Sequence, residues 1–294
     1  MRYNNAVYVS VYILGGTQAM TTESIVQKLI DLGLPADFKI CFESVVDLYN
    51  EGMIADSELS AVKNLLDFFD LVNTVNVRSV MGFIESGVLF TSLDGILISP
   101  FAKIGKGTTI YPNTQIRQNV TIGSGCVIGP SSVVENSTIG NDCTVNATQM
   151  YQSVMDDNVK IGPFCHIRPN SHLCSGVKIG DFVEIKNSTI GVDSHASHLT
   201  YIGDSDVGER VNFGCGTVTS NYNGYTKARC VIGDDCFIGC NTNLIAPVTI
   251  GNGGYTAAGS TITESVPEGA LGIARQRQVN KEGWVESFKE KNKK

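Results

Sequence analysis

Arg168, Lys186, His198 and Tyr201 place a guanidinium, an ammonium, an imidazole and a phenol in a stretch otherwise built of aliphatic, small and turn-forming residues. A guanidinium and an ammonium together suit a phosphate, the first as a planar fork and the second as a point charge. A neutral imidazole is the natural base for taking a proton from an amine near pH 7. His166, His172 and His195 are expected to be ordinary surface or hydrogen-bonded residues. Downstream, SNYNGYTKARCV carries Lys227 and Arg229 outward on an excursion in which Asn221, Asn223 and Gly224 favour turns.

These residues interrupt a period of six. Aliphatic residues stand at Ile104, Ile110, Ile116, Ile122, Ile128 and Val134. After a five-residue step, and with further slips of the same kind, the series continues through Ile139, Val145, Met150, Met155, Ile161, Ile167, Leu173, Ile179, Ile185, Ile190, Ala196, Ile202, Val207, Phe213 and Thr219, then, past the excursion, from Ile232 to Ile262. Glycine often follows the aliphatic residue, and a small or β-branched residue often stands four positions after it, as at Thr108, Thr114, Ser132 and Thr217. Such a hexad fits a very short strand with its aliphatic residue turned into a narrow prism and a glycine or polar residue at the corner. Three hexads make one triangular winding, so about twenty-seven predict about nine windings of parallel β-helix, on the order of 43 Å long at the usual strand spacing. Cys126, Cys143, Cys165 and Cys236 occupy the small-residue position, which assigns them packing rather than redox or metal chemistry.

The first hundred residues read differently. A helix is predicted over Thr22–Leu32, capped by Thr21 or Thr22 and stopped by Gly33. A second is predicted over Asp56–Asp70, capped by Ser57, with Leu59, Val62, Leu65, Leu66 and Phe69 on its apolar face, and a third over Val75–Phe90. The chain has 294 residues, with 22 Lys and Arg against 29 Asp and Glu, and its formal charge of -7 offers no basic footprint for nucleic acid. No stretch has the roughly 18 apolar residues of a membrane span. The apolar start at Ala6–Leu14 has only Arg2 before it and no cleavage pattern after it, so a cytoplasmic protein with reduced thiols is expected.

The run from Ile167 to Trp284 resembles the acetyltransferase domain of the bacterial bifunctional N-acetylglucosamine-1-phosphate uridyltransferase and glucosamine-1-phosphate N-acetyltransferase family. The motifs are IRPNSHLCSGVKIGDFVEIKNSTIG, ASHLTYIGDSDVG, VNFGCGTVTSNYNG and NLIAPVTIGNGGYTAAGSTIT, and the ending GIARQRQVNKEGW is similar to that family's C-terminal arm. VNTVNVRSVMGFIESGV, from Val72, is similar to a shortened form of the family's linker helix.

The resemblance implies a left-handed winding and a homotrimer with the site between neighbours. It implies that His198 is the general base freeing the amine of glucosamine 1-phosphate to attack acetyl-CoA. Arg168 and Lys186 would hold the phosphate, Tyr201, Asn212 and Lys227 would complete the acceptor site, and Asn221 and Tyr222 would close over the amine and acetyl group. Acetyl-CoA would lie against Cys215, Cys240, Ala258 and Arg275, the two cysteines standing where many members carry smaller or hydroxyl-bearing residues. No metal is needed for acetyl transfer.

The expected organisation is a mostly helical region over 1–71, a linker helix and lead-in over 72–100, the β-helix over 101–267 and an arm and tail over 268–294. Nothing in residues 1–100 supplies a uridyltransferase, because ILGGTQAM lacks the arginine of that activity's glycine-rich loop. Two other readings stand beside this one: a hexapeptide acyltransferase with another amino acceptor, and a catalytically silent trimeric scaffold for a separate nucleotidyltransferase.

Overall fold

In a computed structural model, residues 19–293 are described; the Ala6–Leu14 stretch, most of ILGGTQAM and Lys294 fall outside them. The chain divides between Ser79 and Val80 into two units. In the first, α1 (Thr22–Asp31) starts where expected: the Thr21 hydroxyl accepts the Ser24 N–H, and Gly33 beyond the helix takes a φ of 77°. A short hairpin of Lys39–Ile40 and Glu43–Ser44 and a helix α2 (Val45–Asn50) follow, with Cys41 and Phe42 at positive φ in the turn.

The helix expected over Asp56–Asp70 is broken. Its first part is α3 (Asp56–Ala61), and Val62 then turns extended. The Asn64 side-chain Oδ1 accepts the N–H groups of Leu66 and Asp67 and so caps a new helix, α4 (Leu65–Glu85), which absorbs most of the third expected helix. This break rotates the apolar face. Leu59 and Val62 are buried as expected, but Phe68, Leu71 and Val75 fill the core while Leu65, Leu66 and Phe69 are exposed. Ser57 does not cap α3, which begins after Ala55, whose N–H donates to Glu58.

The second unit is a left-handed parallel β-helix. Its three faces hold ten, nine and eleven strands. The first face runs from Leu97–Ile98 to Thr261–Ile262, the second from Lys103–Ile104 to Val248–Ile250, and the third from Leu89–Phe90 to Leu271–Gly272. This amounts to about ten windings rather than nine. The extra strands lie at the ends: Leu89–Phe90 and Leu97–Ile98 precede residue 101, and Leu271–Gly272 follows residue 267. The aliphatic positions of the hexads form one buried column, with Ile110, Ile116, Ile128, Val134, Val145, Met150, Ile167 and Leu173 all at 0% exposure.

Small residues knit the windings together. The Thr108 hydroxyl donates to the Gly123 carbonyl and the Ser194 hydroxyl to Gly208, each one winding on. The four packing cysteines do likewise, Cys126 to Gly140, Cys143 to Asp156, Cys165 to Gly180 and Cys236 to Gly251, so each thiol replaces a hydroxyl. All nine cysteines are free. At the corners Asn119, Asn136, Asn170, Asn187 and Asp204 adopt positive φ, a conformation that short polar side chains tolerate best. Beyond Gly272 the arm is exposed and ends in α5 (Trp284–Lys291), where the rings of Trp284 and Phe288 stack. Among the described residues no helix is long and apolar enough to cross a membrane.

Candidate active site

The edge between the third and first faces carries the imidazole. His198 ends the strand His195–His198, and its partner strand Lys178–Asp181 places Asp181 in register with it. His198 Nδ1 lies 2.7 Å from Asp181 Oδ1. A carboxylate only accepts, so Nδ1 holds the hydrogen and Nε2 keeps its lone pair for a substrate. The contact acts back on Asp181: the His198 hydrogen bond, helped by its own backbone N–H, lowers the carboxyl below its ordinary value. Sequence reasoning missed Asp181, although one winding counted back from His198 with a five-residue slip reaches it.

The same edge continues past His198 as a row. Gly216 N–H donates to Leu199, Asn241 N–H to Cys215, and Gly259 N–H to Cys240. These bonds stack Cys215, Cys240 and Ala258 on successive windings beyond the histidine, with Cys240 and Ala258 exposed and the Arg275 side chain passing Gly259. The four residues expected to face acetyl-CoA therefore share one open edge with His198.

The cations gather at the edge between the first and second faces. Lys227 approaches Lys186 closely, and its ammonium, followed by desolvation and then the charge of Arg168, lowers the Lys186 pKa from its ordinary value. Arg168 is steered by an ion pair of 2.6 Å with Glu184. The Tyr201 ring lies over Gly203, the residue in register with Lys186, in space that any side chain there would occupy. Tyr201 thus spans the face between the imidazole edge and the cation edge.

The excursion after Ser220 leaves at that second edge and is pinned by a buried carboxylate. Asp204 accepts from the side-chain amides of Asn187 and Asn221. Burial pushes its carboxyl up, but these bonds and the charges of Lys227 and Lys186 outweigh burial and leave it lowered. Arg229, expected to reach outward, instead grips Asp206 through Nε at 2.8 Å and Nη2, and donates to the carbonyls of Asn187 and Ser205, so it is a strut at the base of the loop. Within the loop Asn223 accepts the N–H groups of Tyr225 and Thr226, and Tyr222 bridges to Lys227.

Not every expected residue converges. Asn212 lies on the third face, in register with His195 and away from the cation edge. The Tyr222 hydroxyl donates to Gly224 in its own loop. His166 meets Tyr151 edge-on at 5.9 Å, and His172 pairs with Asp156. Asp204 and Glu184 carry no sequence signal beyond their place one winding from a basic or amide side chain.

The bacterial transferase hexapeptide pattern of six repeats matches residues 101–136, 153–187 and 229–264. The chain is 46% identical over 279 residues to the bifunctional protein GlmU of Halalkalibacterium halodurans, covering 92% of this chain and 61% of that protein. It is 51% identical over 228 residues to the bifunctional protein GlmU of Caldicellulosiruptor saccharolyticus, covering 78% and 49%. With the bifunctional protein GlmU of Geobacillus sp. the identity is 53% over 189 residues, covering 64% and 41%. The chain spans about half the length of the curated relatives it matches.

Proposed function

We propose, from the premise that this chain resembles the C-terminal acetyltransferase part of the bifunctional GlmU proteins, that it transfers acetyl from acetyl-CoA to the amine of glucosamine 1-phosphate. The observation that supports this most is the His198 imidazole, fixed at Nδ1 by Asp181 and open at Nε2, on the edge that also carries Cys215, Cys240 and Ala258. In this reading Nε2 takes a proton from the ammonium-derived amine as its nitrogen attacks the thioester carbonyl. A carbon–nitrogen bond forms, the carbon–sulfur bond breaks, and the proton passes from His198 to the departing thiolate. Asp181 is a positioning residue that fixes the tautomer.

Arg168, Lys186 and Lys227 would receive the sugar phosphate, whose charge relieves the repulsion between the two lysines. Tyr201 would border the sugar, Asn212, on the third face, would join it only from a neighbouring copy, and Asn221 and Tyr222 would shape the loop over the amine. Arg275, beside Gly259, would meet the phosphates of CoA. A homotrimer belongs to the same reading. His198 is 59% exposed on an open wall, and a neighbouring copy would supply the missing side of the cleft.

The test is thiol release from acetyl-CoA with glucosamine 1-phosphate, with glucosamine, and with His198→Ala. Turnover is expected only with the phosphorylated sugar and is expected to be lost in the variant. Turnover that prefers a different amine would move the reading to a hexapeptide acyltransferase of other specificity. No turnover with any amine would leave the scaffold reading.

A further inference from the structure

The edge between the second and third faces, which the acetyl-transfer reading does not use, carries a second group of chemically capable side chains. A carboxylate oxygen of Asp156, an imidazole nitrogen of His172 and the sulfur of Cys174 all lie within 4.8 Å of one another. His172 Nε2 is 3.0 Å from Asp156 Oδ1. We propose that Asp156, His172 and Cys174 form a binding site for a divalent transition-metal ion, zinc foremost, that clips two successive windings together.

The backbone fixes this arrangement before any ion arrives. Val154 pairs with His172 and Met155 with Leu173, which sets Asp156 directly beside Cys174 at the next winding. His172 and Cys174 stand two apart along one strand line and therefore face the same side. Glycines occupy the equivalent corner on either side: the same registers carry Gly140 to Asp156 and Cys174 to Gly191. Neither glycine places a side chain of its own over the ligands.

The donor set decides the metal. Calcium and magnesium take oxygen ligands, whereas a mixed set of thiolate, imidazole and carboxylate matches zinc. Bond lengths of about 2.0–2.3 Å around a tetrahedral ion require ligand atoms roughly 3.3–3.8 Å apart, so atoms already within 4.8 Å of one another need to draw in by about an ångström. The carboxylate and the thiolate neutralise a dication.

Cobalt is the probe. The metal-stripped full chain titrated with cobalt is expected to develop a thiolate-to-metal charge-transfer band that saturates at one ion per chain and is abolished by zinc. Cys174→Ser should lose the band, and His172→Ala or Asp156→Asn should weaken binding by about tenfold or more, since losing even an outer partner of a metal ligand costs that much. Cys240→Ser, at an exposed thiol elsewhere, should leave the band intact, and circular dichroism checks that each variant is folded. Zinc should also raise the melting temperature of the parent chain and not that of Cys174→Ser. No band at millimolar cobalt, or a band that survives Cys174→Ser, would overturn the proposal and leave His172 and Asp156 as a solvated pair.

Discussion

At the scale of single residues, the pairing of His198 with Asp181 separates two kinds of loss. Removing the imidazole removes the base, so His198→Ala is expected to lower kcat by about 10²–10⁴ with little change in KM. Asp181→Asn keeps a partner at Nδ1 but no longer fixes which nitrogen carries the hydrogen. A smaller fall in kcat is expected, and adding it to His198→Ala should cost nothing more, because both act through one proton. Steady-state thiol release from the two single variants and the double variant measures this. Lys186 makes the opposite trade. Lys227 and Arg168 repel it, so Lys186→Met is expected to raise the melting temperature of the free chain while raising KM for the phosphorylated acceptor by about tenfold or more. A variant that lost thermal stability and kept its KM would place the phosphate elsewhere.

At the scale of elements, the loop after Ser220 depends on the Asp204 carboxylate. Asp204 is 4% exposed and titrates below its ordinary value, so it stabilises the fold above the unfolded carboxyl pKa of about 3.9 and loses that contribution as pH falls through its lower folded value. Asp204→Asn should therefore flatten the decline in stability below about pH 4. Asn221→Ala leaves one lobe of a buried carboxylate without its amide, at a cost of about 1–3 kcal/mol, and should weaken acceptor binding as the loop loosens. Melting curves across pH check both. This pin was not legible in the sequence, because an aspartate at a corner reads the same whether it caps a turn or anchors a loop. The windings were legible, because each aliphatic residue at the sixth place has nowhere to go but the axis. The break between α3 and α4 was not, because the capping bonds of Asn64 overrode a pattern of apolar spacing that continued through it. The first windings at Leu89–Phe90 and Leu97–Ile98 precede the regular period and so fell outside the count.

At the scale of the whole molecule, the edge that carries His198 also carries its own clue to assembly. Phe164, Phe182 and Leu199 occupy successive corners there at positive φ, where bulky residues are strained. They are 60%, 56% and 57% exposed, and the two phenyl rings stack at 5.4 Å. Asp181 and His198 immediately precede Phe182 and Leu199, so whatever covers these apolar side chains also borders the base. In the trimer reading the cover is a second copy, and burying each large side chain contributes about 1.5–3 kcal/mol to association. Phe164→Glu with Phe182→Glu puts two like charges into that contact without touching the buried column of the prism. The double variant is expected to sediment as a monomer with an unchanged circular dichroism spectrum and to lose acetyl transfer, although His198, Asp181 and the three cations are all intact. Full activity in a monomeric variant would mean that one wall of the prism is sufficient for the chemistry, and the open side of His198 would then face solvent during turnover.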